Sequence, residues 1–116
     1  MNSYTPILDH AAVIPLTHEL FANDAIFFTD LRSKKVALKN QATGYGVEVS
    51  YPDFATVAFW TAAATKAPFL CVEPWNGSAI RSDEDDNFLN RHFLQKLEGE
   101  ASKEYRIEIK KISQQL

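Results

Sequence analysis

The stretch Tyr45-Gly-Val-Glu-Val-Ser-Tyr51 alternates apolar and polar residues and is closed by Pro52. A period of two puts Tyr45, Val47, Val49 and Tyr51 on one face of an extended chain, with Gly46, Glu48 and Ser50 on the other. Pro52 has no N–H to carry a ladder onward. This part of the chain is therefore read as a half-buried β-strand with one wet face. The same pattern returns near the end, where Tyr105, Ile107 and Ile109 alternate with Arg106, Glu108 and Lys110. Ile112 slips by one, which predicts a bulge or the end of pairing.

Two further segments, Ala25-Ile-Phe-Phe28 and Pro68-Phe-Leu-Cys-Val72, are apolar throughout and read as strands buried on both faces. Lys35-Val-Ala-Leu-Lys39 is short and is followed by Asn40-Gln-Ala-Thr-Gly44, whose turn chemistry predicts a hairpin over residues 35–51. About six or seven strands in all point to an all-β fold, a β-sandwich. Helical signals are few. Thr17-His-Glu-Leu-Phe-Ala22 suits one turn capped by Thr17, and Ala62-Ala-Ala64 is set among strand and loop formers. Ser82-Asp-Glu-Asp85 has capping-box spacing, with Leu89, Phe93 and Leu97 following at intervals of four. It predicts a short helix from near Asp83 to about Arg91, after which Phe93-Leu-Gln-Lys-Leu97 also suits a strand. Residues 1–15 are the least patterned and are expected to form an extended lead-in.

The chain has 116 residues and a formal net charge of −3, which suits one domain, 1–116, and offers no electrostatic footprint for nucleic acid. A single cysteine excludes an intrachain disulfide framework and any Cys-rich zinc site. No apolar run approaches the ~20 residues of a membrane span. Met1-Asn-Ser-Tyr4 starts no signal peptide, so a cytoplasmic location is expected.

Most local motifs have an ordinary reading. Asp83-x-Asp85-x-Asn87 matches the start of a calcium loop, yet Phe88 stands where Gly is needed and Leu94 where the bidentate Glu belongs. A solvated, helix-starting acidic cluster is the better account. Asn76-Gly-Ser78 is a glycosylation sequon without a secretory signal. Gly44-Tyr-Gly46 lacks the rest of a dinucleotide loop and reads as a turn. His10, His18 and His92 share no ligand spacing, and Cys71 reads as a core thiol within an apolar strand.

Glu73 is the exception. In Phe69-Leu-Cys-Val-Glu-Pro-Trp75, alternation puts it on the face of Phe69 and Cys71, just before Pro74. A carboxylate drawn out of water on such a face suits general-base work; the other reading is a side chain escaping to solvent as the strand ends. Trp60 and Trp75 are either core residues or platforms for a sugar ring.

Phe69-Leu-Cys-Val-Glu-Pro-Trp-Asn-Gly77, with Phe59-Trp-Thr61 before it and Gln95-Lys-Leu-Glu-Gly-Glu100 after, resembles the C-terminal part of the galactose mutarotase-like (aldose 1-epimerase) family, LacX-type branch. Glu19-Leu-Phe-Ala-Asn-Asp-Ala-Ile-Phe-Phe28, Tyr45-Gly-Val-Glu-Val and Tyr105-Arg-Ile-Glu-Ile are similar to further segments, so the resemblance runs from about Pro15 to Ile112. It implies the C-terminal portion of that family's supersandwich over residues 16–112. It also implies interconversion of the α and β anomers of an aldose, with no metal or cofactor. By resemblance Glu73 is the general base, Asp24 the aspartate that holds sugar hydroxyls, and Trp60 and Trp75 line the pocket. Asp24 after Asn23 also reads as a turn residue.

Full-length members of that family run to well over twice this length, and their catalytic histidines lie in the half without a counterpart here. None of the three histidines matches them. A chain holding the base alone is expected to be a weak catalyst, since one acid–base partner is worth typically 10²–10⁴-fold. Truncated gene product, fragment and subunit stay open. Unpaired strand edges and an uncovered face predict self-association or pairing with the missing N-terminal half. Two rival functions remain, a non-catalytic carbohydrate-binding module and an interaction domain that binds no sugar.

Overall fold

In a computed structural model, which describes residues 13–29, 31–79 and 81–113, the strands are β1 (Ile26–Phe28), β2 (Lys35–Lys39), β3 (Gly46–Ser50), β4 (Thr56–Trp60), β5 (Cys71–Trp75) and β6 (Glu108–Ile112). They form two three-stranded sheets, β1-β4-β5 and β2-β3-β6, in which every pairing is antiparallel. The helical residues are three short 3-10 turns, Glu19–Phe21, Ala63–Thr65 and Phe88–Asn90. The fold is all-β, built as the two antiparallel sheets of a sandwich. Among the described residues no helix is long and apolar enough to cross a membrane. The lead-in expected over residues 1–15 lies for the most part outside the described residues.

The hairpin expected over residues 35–51 forms as β2 and β3, in register from Lys35 opposite Ser50 to Lys39 opposite Gly46. Asn40 closes its loop: the side-chain Oδ1 accepts from the N–H groups of Ala42 and Thr43, and the carbonyl accepts from Gly44, which has φ 78°. That conformation favours glycine. Gly46 is required for another reason, because a Cβ there would collide with the Leu38 carbonyl oxygen. Lys35, Glu48 and Lys110 fall on one side of this sheet, with Lys35 and Glu48 3.6 Å apart. Val36, Val47, Val49 and Ile109 fall on the other.

Four expectations are corrected. The strand read at 68–72 starts later, at Cys71, and runs through Pro74 to Trp75. Ala67 is held in the preceding turn, its N–H donating to Ala62, and β5 begins where Trp60 offers a partner for Cys71. The strand read from Tyr105 begins only at Glu108, and of the two outcomes expected at Ile112 the end of pairing holds: it pairs with Gly46 at the end of an unbroken β6 ladder and so faces the charged side. The helix expected from Asp83 to about Arg91 shrinks to Phe88–Asn90. Its would-be first turn is taken over by side chains, with Asp85 Oδ1 accepting from Asn87 N–H and Asn87 Oδ1 accepting from Leu89 N–H. Residues 93–97 form no strand.

Strand β4 is the centre of its sheet and the most buried part of the described chain: Thr56, Val57 and Ala58 are each 0% exposed. Both of its faces are covered, so it carries no alternation. Register then sorts the sheet into two faces. Phe27, Ala58 and Glu73 lie in one row, flanked on β4 by Thr56 and Trp60 and on β5 by Cys71 and Trp75. The opposite face holds Ile26, Phe28, Val57, Phe59, Val72 and Pro74, with the Phe28 and Phe59 rings edge-to-face at 5.9 Å.

Candidate functional site

Three of the four residues singled out from the sequence, Glu73, Trp60 and Trp75, share the first face of the β1-β4-β5 sheet. Glu73 is half-buried, and its Oε2 accepts a hydrogen bond from Trp75 Nε1–H at 3.1 Å. The Trp75 indole also meets the Phe27 ring edge-on, with centroids 5.1 Å apart and planes at 88°. Strands β1 and β5 are two ladder spacings apart, about 9.6 Å. Rings rooted on them that approach to 5.1 Å must lean toward each other across β4. Between them lies Ala58, whose methyl is completely covered. The small residue beside Glu73 thus leaves room for the two rings to meet over the sheet.

At the other end of this face Trp60 packs against Phe69 at 5.9 Å, and Phe69 stays about half exposed. Phe69 thus gives this end of the face the more exposed of its two aromatic contacts. Cys71 lies at this same end, opposite Trp60, as a half-buried free thiol. Asn76 locks the strand ends: its Oδ1 accepts from Ala55 N–H and its Nδ2 donates to the Asp53 carbonyl. Thr56 adds a hydroxyl placed against the carbonyls of both Trp75 and Gly77. The sequon asparagine is therefore a structural pin at the mouth of the β4–β5 pair.

Asp24 is not brought to Glu73. It ends the turn after Glu19–Phe21 with φ 91°, is exposed, and accepts the N–H of Ala25 on its own Oδ1. It precedes β1 by two residues, beyond the Trp60 end of the sheet. Thr17 Oγ1 accepts from Leu20 N–H, as the cap signal predicted.

The histidines are engaged elsewhere. His18 Nε2 lies 2.9 Å from the Ala67 carbonyl oxygen, a pure acceptor, so this nitrogen carries the proton. His18 also borders an open hollow of about 120 Å³ between Phe21, Thr61, Phe69 and Leu70. That hollow is near the Phe69 end of the sheet and does not include Glu73. The His92 ring stands between two carboxylates, with Nδ1 3.5 Å from Glu84 Oε2 but without hydrogen-bond geometry, and Nε2 3.7 Å from Asp83. His10 lies outside the described residues. Among the described residues no group of three His, Cys, Asp or Glu side chains is disposed to hold a metal ion.

Glu84 is a polar centre that sequence reasoning missed, reading it as part of a solvated cluster. Its side chain is 1% exposed. Burial alone would push its carboxyl up, but it accepts from the N–H groups of Arg81 and His92, faces the His92 imidazole, and pairs with the Arg91 guanidinium at 2.9 Å. The donors prevail and hold it down at about 2. Arg91 reaches on to the Ser78 carbonyl, so one carboxylate ties together the loop that leaves β5. The clue in the sequence is Glu84 bracketed by Arg81, Arg91 and His92, a set readable only once the loop folds back.

No protein-family model matches this sequence, and no solved structure matches it. Two curated proteins do resemble it, Protein LacX, chromosomal, and Protein LacX, plasmid, both from Lactococcus lactis subsp. lactis. Each is 34% identical over 84 residues, covering 72% of this chain and 28% of the relative. The chain is similar to LacX proteins through most of its own length and spans little more than a quarter of theirs.

Proposed function

We propose that the β4–β5 face is part of an aldose site and that Glu73 is the general base for interconverting anomers, as in the mutarotase-like family the sequence resembles. The observation that carries this reading is the setting of Glu73: a carboxylate half-buried on an aromatic face, one oxygen engaged by an indole N–H and the other free to take a proton. Similarity to LacX proteins supports it. In the reaction, Glu73 removes the proton from the anomeric hydroxyl, and the O1–H electron pair forms the C1=O1 carbonyl as the C1–O5 bond breaks. O5 takes a proton from an acid. Rotation about C1–C2 and reversal of the transfers close the ring on the other face. Trp60 and Phe69 would pack against the sugar's C–H surface.

His18 is bonded to the Ala67 carbonyl and His92 stands on the loop around Glu84, so neither is proposed as the acid. A base without its partner forgoes roughly 10²–10⁴-fold, which makes the isolated chain a weak catalyst. The test is NMR exchange spectroscopy between the anomers of D-glucose and D-galactose. The wild type should accelerate exchange over buffer, and Glu73→Gln should bind sugar yet add no exchange. Equal acceleration by both proteins would refute the role. Binding without acceleration by either would favour a carbohydrate-binding module. No binding at all would leave an interaction domain.

We further propose that the apolar face of the β2-β3-β6 sheet is covered by polypeptide equivalent to the part of the LacX relatives that has no counterpart in this chain. The edges of that sheet are poor pairing sites, because Lys35 and Lys39 mark β2 and Lys110 and Lys111 mark β6.

A further inference from the structure

We infer that Trp75 is a positioning residue for Glu73 and not a stacking platform, an assignment that rests on reading Glu73 as the base. The indole is occupied twice. Its N–H is spent on Glu73 Oε2 at 3.1 Å, and its ring is set edge-to-face against Phe27 at 5.1 Å. The contact with Phe27 reaches across the strand that carries Ala58, a small residue buried to 0%. The backbone fixes the same arrangement from below: Trp75 is opposite Thr56, whose hydroxyl lies 3.2 Å from the Trp75 carbonyl oxygen. Both the root and the tip of Trp75 are therefore held before any ligand arrives.

A carboxylate free at both oxygens samples several rotamers and presents either oxygen. Binding Oε2 to an indole N–H selects one and leaves Oε1 as the proton acceptor, which is preorganisation of the kind that favours proton transfer. The alternation of the strand makes this possible, since residues two apart on β5 project from the same face. Phe27 and Ala58 support the arrangement one step further out. Phe27 fixes the indole plane, and Ala58 supplies the gap the two rings bridge. Trp60, paired with the half-exposed Phe69, remains the ring for the sugar.

A double-mutant cycle between Trp75→Phe and Glu73→Ala tests the assignment on the whole chain with D-glucose and D-galactose. Trp75→Phe should slow anomer exchange about tenfold, the scale of one lost hydrogen bond to a charged group, while sugar affinity changes less than about threefold. In the Glu73→Ala background Trp75→Phe should have no further effect on exchange. Replacing Trp75 by benzothienylalanine, which keeps the ring and loses the N–H, should reproduce the Trp75→Phe loss and guards against a folding artefact. A loss confined to sugar affinity, or exchange unchanged in Trp75→Phe, would overturn the positioning role. The contact has its own readout: the Trp75 indole N–H resonance should move on Glu73→Ala while that of Trp60 stays. An unmoved Trp75 signal refutes the inference. A moved signal with no wild-type exchange refutes the base reading, and the positioning role that rests on it, but not the contact.

Discussion

The two sheets have the same number of strands, all paired antiparallel, yet they differ in what covers them. In β1-β4-β5 the central strand begins with three residues at 0% exposure and aromatic rings cover the carboxylate-bearing face. In β2-β3-β6 one face is charged, and on the apolar face Leu38, Val47 and Ile109 are exposed, Ile109 at 72%. One sheet has fully buried residues in its central strand; the other offers an apolar surface that its described neighbours do not close. The proposed base stands on the more closely packed of the two sheets, and a base held to sub-ångström tolerance needs such a support.

The largest test of that contrast is a pair of identical truncations. Val57→Ala, in the covered strand, should cost about 2 kcal/mol or more through lost burial and a residual cavity. Val47→Ala, on the open sheet, should stay under about 1 kcal/mol. Chemical denaturation of both variants checks this, and equal losses would mean that the sheets are not differently packed.

A more local effect belongs to Glu84. Its folded carboxyl sits at about 2 against an ordinary 4.5, so its contribution is complete above pH 4.5 and is lost as pH falls toward 2. Hydrogen exchange in residues 81–92 should rise across that window. Glu84→Gln should raise exchange already at neutral pH and flatten the pH dependence. Protection unchanged down to pH 2 would contradict the clamp.

Smaller still is Ile109→Lys, expected to change the stability of the chain by less than about 0.5 kcal/mol because the side chain is already wet. Sedimentation of the chain mixed with the complementary part of a Lactococcus lactis LacX protein should show the wild type associating and this variant not. Association of both equally would remove the open face from the account. Tyr51→Phe is the finest probe. The Tyr51 hydroxyl is buried without a hydrogen-bond partner, and burial holds the phenol above its usual range. Deleting it should be neutral or stabilising by up to about 1 kcal/mol, and a clear loss in thermal melting would reveal a partner.

What the sequence made legible follows the same division. The open sheet, wet on one face, showed its period in the residues, and β2 runs over Lys35–Lys39 as read. The buried sheet was harder. β4 has no alternation because both its faces are covered, and Thr56-Val-Ala-Phe-Trp60 carries no pattern that separates strand from loop. Glu73 and Trp75 could be placed on one face by parity alone. The indole–carboxylate bond and the Phe27 contact depend on β1 and β5 both flanking β4, a fact of topology. Glu84 was missed for a related reason: its donors lie three, seven and eight residues away, on a loop whose return no local period announces.

The central claim is that the aromatic face of β1-β4-β5, and not the open sheet, holds an aldose against Glu73. Backbone amide NMR during titration with D-glucose and D-galactose tests it most directly. The account predicts shifts concentrated in residues 56–60 and 71–75 and at the Trp60 and Trp75 indoles, with residues 35–39, 46–50 and 108–112 unmoved. Shifts confined to the open sheet, or none at saturating sugar, would contradict it.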